Sequence, residues 1–80
     1  MIHNINIDIY IRIDFGDYNI TMKNGHKNSI LYSARHKVYG TGWEDVKGPI
    51  IDVLINDFKK CNTHRLALER LNQSIAKIIL

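Results

Sequence analysis

Positions 5 to 15 alternate between apolar and polar side chains. Ile5, Ile7, Ile9, Ile11, Ile13 and Phe15 take the odd positions, and Asn6, Asp8, Tyr10, Arg12 and Asp14 the even ones. A period of two built on β-branched residues marks a half-buried strand, with the odd positions turned to a core. Gly16-Asp17 follows and reads as a two-residue hairpin turn, because glycine accepts the positive φ such turns need. Tyr18, Ile20 and Met22 then alternate with Asn19, Thr21 and Lys23. A two-residue loop pairs Phe15 with Tyr18, Ile13 with Ile20 and Ile11 with Met22, so each apolar residue meets another on one face.

Asn24-Gly25 has the composition of a second short turn, but parity argues against two residues. In the next segment Ile30, Tyr32, Ala34, His36 and Val38 form the apolar-leaning face. A two-residue loop would set Ile20 against Ser29 and Tyr18 against Leu31, turning that face to the wrong side. A connection of odd length restores the match. The pattern predicts a turn of three to five residues starting at Asn24; three residues would bring Ile20 opposite Ile30 and Tyr18 opposite Tyr32.

Gly40-Thr41-Gly42 ends this strand, and the apolar period shifts to about 3.6. Val46, Ile50, Val53, Leu54, Phe58 and Cys61 fall on one helical stripe, widened by Ile51 and Ile55. Asp45 is the expected N-cap; the alternative start puts Gly48 at the cap and Pro49 at the first helical position. Asn62 or Thr63 then caps a second helix, with Leu68, Leu71, Ile75 and Ile78 as its stripe and Ala67 and Ala76 beside it. Residues 74–80 have an alternative reading as an edge strand. The expected architecture is α+β in two layers within a single domain, 1–80. A three-stranded antiparallel meander fills 1–39, and two helices in 44–80 cover one of its faces. The other face would carry Tyr10, Arg12, Asn19, Thr21, Lys23, Leu31, Ser33, Arg35, Lys37 and Tyr39, with Asn6 and Asp8 before them. Trp43, at the junction between layers, is expected to cap the core, with an exposed anchoring role as the alternative.

Composition sharpens this in one direction. Eighty residues with 45% hydrophobic and 24% charged side chains suit one small globular unit and exclude a multidomain enzyme or a disordered tail. A chain of this size has little apolar surface to spare for a deep substrate pocket as well as a core. The single Cys61 cannot form an intramolecular disulfide, and no apolar run approaches a signal peptide or a membrane span. A cytoplasmic protein without a membrane partner is expected.

The net charge of +3 is unevenly placed. Residues 18–43 hold Lys23, Lys27, Arg35 and Lys37 and no acid, a local +4, with His26 and His36 among them. Residues 1–17 sum to −2 and residues 44–60 to −1. Basic side chains that track phosphates beside aromatics that stack on bases are the working parts of single-strand nucleic-acid platforms. Lysine-rich outer faces also keep sheets soluble and unpaired.

Reaction chemistry finds less support. Cys61 and His64 form one C-x-x-H pair, whereas structural zinc wants two such pairs. A lone cysteine on a helix stripe is a packing residue more often than a nucleophile. Asp8 and Asp14 share a strand face but stand about 20 Å apart. Gly40-Thr41-Gly42 lacks the Lys-Ser/Thr that completes a phosphate loop. No catalytic residue, metal ligand or cofactor is expected.

The junction Gly40-Thr41-Gly42-Trp43-Glu44-Asp45 resembles the Gly-x-Gly-aromatic-acid junction of small phage and prophage proteins. The chain is similar to that class in its brevity and its Ile, Asn and Lys bias. Such proteins include anti-CRISPR inhibitors, and the resemblance implies a protein that binds a host defence complex and blocks it without catalysis. The expected partner is then a host protein or nucleoprotein complex, met through Lys23, Lys27, Arg35, Lys37 and Tyr39, with Trp43 beside them. The alternative is direct DNA or RNA binding by the same face, and a third reading is an antitoxin or small complex subunit.

Overall fold

The computed structural model describes residues 9–25 and 29–79, without the side chains of 78 and 79. Among these residues the elements run in the order β1 (Tyr10–Phe15), β2 (Tyr18–Asn24), β3 (Ile30–Val38), β4 (Gly42–Asp45), α1 (Pro49–Lys59) and α2 (Asn62–Ile79). The four strands form one antiparallel sheet in the order β1-β2-β3-β4. Helix α2 lies over β1 and β2, and α1 over β3. The class is α+β, with four strands where the alternation pattern predicts three. Expected strand positions 5–8 lie outside the described residues.

The first hairpin has the register that parity requires: Phe15 opposite Tyr18, Ile13 opposite Ile20 and Ile11 opposite Met22. Gly16 opens its turn at φ 62, where a Cβ would add strain. The connection from β2 to β3 is odd in length, as the apolar face demands, but longer than three residues. Asn24 is the last residue of β2, opposite Ile30, so Ile20 meets Ala34 and Tyr18 meets His36. Asn24 belongs to the strand because it is needed there. Its backbone N–H donates to the Ile9 carbonyl at 3.2 Å, and its side-chain Oδ1 accepts from the Ile9 N–H at 3.1 Å.

Strand β4 is the fourth strand that periodicity does not reveal. Gly40 and Gly42 take φ 84 and 88 and turn the chain back beside β3. Lys37 then faces Trp43, His36 faces Glu44 and Arg35 faces Asp45. Asp45 is therefore a strand residue and not a helix cap. The helix starts by the alternative route, with Gly48 as N-cap at φ 78 and Pro49 in the first turn, where its missing N–H removes no helical bond. Val46 precedes the helix, its N–H donating to the Ala34 carbonyl at 2.9 Å. Pairing with β3 puts Trp43 on the face away from the helices, 42% exposed, so it does not cap the core.

Phe58, Ile20, Met22 and Leu71 are the large side chains wholly enclosed between the layers, joined by Ile9, Ile13, Ala34, Leu54, Ile55 and Ala67. Phe15 closes on Phe58 edge-on, at 5.3 Å between ring centroids. The buried stripe of α1 runs through Ile51, Leu54, Ile55 and Phe58. Ile50 and Val53, expected on that stripe, point outward, because the helix begins only at Pro49 and turns Ile51 and Ile55 to the sheet. In α2, Ala67, Leu68, Leu71 and Ile75 face inward as expected, while Ala76 is exposed. Residues 74–79 continue that helix and form no edge strand. Neither α1 nor α2 is long and apolar enough to cross a membrane.

Candidate functional site: the uncovered face of the sheet

Both helices pack on one side of the sheet, so among the described residues no layer lies over side chains pointing the other way. The register arranges these in rows across the strands. Tyr10, Lys23 and Leu31 form the first row, and Arg12, Thr21 and Ser33 the second. Asp14, Asn19, Arg35 and Asp45 form the third, and Lys37 and Trp43 the fourth. Tyr10, Arg12, Thr21, Lys23, Ser33, Arg35 and Asp45 line one shallow depression.

Four cations stand on this face, and among the described residues none of them is held in an ion pair; the one salt bridge there is Arg65–Glu69 on α2. Arg12 places its guanidinium 5.4 Å from the Tyr10 ring centroid. Arg35 lies opposite both Asn19 and Asp45 without bonding either. Asn19 instead donates from Nδ2 to Asp14 Oδ1 at 3.1 Å, and its own Oδ1 is buried without a donor. Asp14 and Asp45 stand in the same row as Arg35, so four cations share the face with two carboxylates and its balance is +2.

The structure divides the residues singled out from sequence. Lys23, Arg35, Lys37 and Trp43 share the uncovered face. Lys23 sits at one end beside Tyr10, and Lys37 and Trp43 at the other, with Arg35 between them. Tyr39 lies in the turn after β3, 95% exposed, off the strand face assigned to it. Lys27 and His26 lie outside the described residues. Arg12 is the cation on this face that charge counting passes over. It belongs to the acid-leaning first segment, and only the pairing of β1 with β2 carries it to the basic group. The alternation that places Arg12 beside Tyr10 on an outward face is the signal that points to it.

A second polar group sits between the layers. Tyr32 on β3 and His64 on α2 are in hydrogen-bond contact, hydroxyl to Nε2 at 2.8 Å. Phe58 meets the imidazole edge-on at 5.2 Å, and Lys59 Nζ is 4.8 Å from the Tyr32 ring centroid. Burial lowers the His64 pKa below its ordinary 6.5, with the Lys59 charge adding to the effect. Burial raises that of Tyr32 above 10.0. Cys61 points elsewhere, its Sγ 3.5 Å from the Asp57 carbonyl oxygen. Among the described residues no group of three or more His, Cys, Asp or Glu side chains is arranged to hold a metal ion.

No family model, no curated protein and no solved structure matches this chain.

Proposed function

We propose that this chain is a small non-enzymatic binding protein, encoded by a phage or mobile element. It inhibits a host protein or nucleoprotein complex in the cytoplasm by covering an anionic surface with the open face of its sheet. The observation that carries the reading is the set of cations Arg12, Lys23, Arg35 and Lys37 on the face away from both helices, in excess over Asp14 and Asp45 and held in no ion pair among the described residues. Unpaired charge on a broad, shallow surface favours association with an oppositely charged partner and speeds encounter. The exposed rings of Tyr10 and Trp43 supply the aromatic anchors on which binding energy concentrates.

The test is capture of the host partner by tagged protein, with Lys23→Glu, Arg35→Glu and Lys37→Glu combined in one variant. All three side chains stand outside the enclosed core, so the variant retains its far-ultraviolet circular dichroism. Loss of capture is expected. Capture at wild-type level by the folded variant overturns the reading.

A further inference from the structure

Resting on the reading of this face as the binding surface, we infer that its ligand is single-stranded nucleic acid. Phosphates would lie along the cations and bases would stack on the aromatic rings at either end. Strands about 4.8 Å apart and rows about 6.7 Å apart put Tyr10 on β1 and Trp43 on β4 at opposite corners of a face about 24 Å along its diagonal. Arg12, Lys23, Arg35 and Lys37 lie between those corners. The middle of the track is not bare charge. Thr21 and Ser33 are direct cross-strand partners, with Arg12 beside Thr21 in the same row. Two hydroxyl donors thus stand among three cations, a combination that suits phosphate oxygens, while Asp14 and Asp45 in the next row steer the phosphates toward the Arg12–Lys23 end. At the β1 end, the Arg12 guanidinium near the Tyr10 ring sets a cation and a π-surface side by side.

Width decides between single strand and duplex. Four flat strands span about 14 Å between the outer strand axes, more than the major groove of about 12 Å. The whole face is wider than an undeformed groove, and only an unpaired strand offers base faces that can stack on Tyr10 and Trp43. An acidic protein surface could satisfy the same cations, and competition by polyglutamate separates it from a nucleic-acid strand.

Trp43 is the one tryptophan in the chain, so its emission reports contact directly. A labelled twelve-nucleotide oligothymidylate and a duplex of the same length are titrated by anisotropy, and the unlabelled strand by Trp43 emission. Expected are quenching of Trp43 and binding of the single strand at least about tenfold tighter than the duplex. Four phosphate contacts at about 0.7 per contact predict an affinity loss of about 50-fold between about 50 and 200 mM salt. Tyr10→Leu is expected to weaken binding about tenfold, and Arg12→Ala to flatten the salt slope by about 0.7. Duplex bound as tightly as single strand overturns the inference. So does absence of binding at low salt, or displacement of the oligonucleotide by polyglutamate at equal charge. If the triple charge reversal still abolishes host-partner capture in any of those cases, the binding role of the face stands and the nucleic-acid ligand alone falls.

Discussion

Tyr32, His64 and Lys59 meet where β3 supports the turn between the helices, and there a single proton acts on stability. Imidazole in contact with the Tyr32 hydroxyl at 2.8 Å is favoured neutral, since burial and the Lys59 ammonium both work against the imidazolium. The unfolded chain, with His64 at its ordinary 6.5, takes up that proton first as pH falls. The contribution of His64 is therefore complete above that value and is lost as pH drops through the lower folded one. Tyr32 behaves in the opposite sense: its stabilisation is present below 10.0 and lost as pH rises through the raised folded value. Thermal melts at pH 7.5 and 5 are expected to show a larger fall in Tm for the wild type than for His64→Gln. The difference isolates His64, because every other side chain is common to the two proteins. Equal falls would remove His64 from the account.

At the scale of elements, the rotation of α1 about its axis separates helical periodicity from actual burial. Phe58 is wholly enclosed, while Ile50 and Val53 are 56% and 61% exposed. Phe58→Ala is expected to cost about 3–5 kcal/mol, whereas Ile50→Ala and Val53→Ala stay within about 0.5 kcal/mol. Urea unfolding of the three variants checks this; a large loss at Val53 would mean the helix turns its other side to the sheet. The two outward residues share an apolar run with the enclosed ones, so a stripe drawn on sequence takes in both. The β1–β2 register was legible because Ile11, Ile13 and Phe15 must face Met22, Ile20 and Tyr18. The parity of the next connection was legible for the same reason, but its length was not: parity permits three residues or five, and the Asn24–Ile9 bonds belong to no pattern. Strand β4 left no trace in the alternation. All four of its residues are exposed, so nothing there requires an apolar residue at every second position, and Glu44-Asp45 read naturally as the start of a helix.

For the whole molecule, the two layers do not cover the sheet evenly, and stability follows the cover. Ile20 and Met22 of β2 are wholly enclosed and Ala34 of β3 nearly so; with helices above and a strand on either side, β2 and β3 open only when the molecule unfolds. Among the described residues β1 and β4 are each paired on one side, but β1 sends Ile13 into the core whereas all of β4 is exposed, which gives the hydrogen bonds of β4 little protection from local opening. The same unevenness explains what was legible of the binding face. Lys23, Arg35 and Lys37 fall in one basic stretch of sequence, whereas Arg12 joins them through β1 and Trp43 through β4. A face built by pairing distant segments has members that no local charge count collects. Its Arg12, Lys23 and Arg35 portion stands on β1, β2 and β3, but Trp43 and Asp45 stand on the strand that opens first. In increasing urea, Trp43 emission is expected to shift to the red before the helical signal at 222 nm is lost. The cations would then still be in register while the aromatic corner has detached. Coincident transitions by the two probes would instead make β4 part of the cooperative unit, and Trp43 as firmly placed as Arg12.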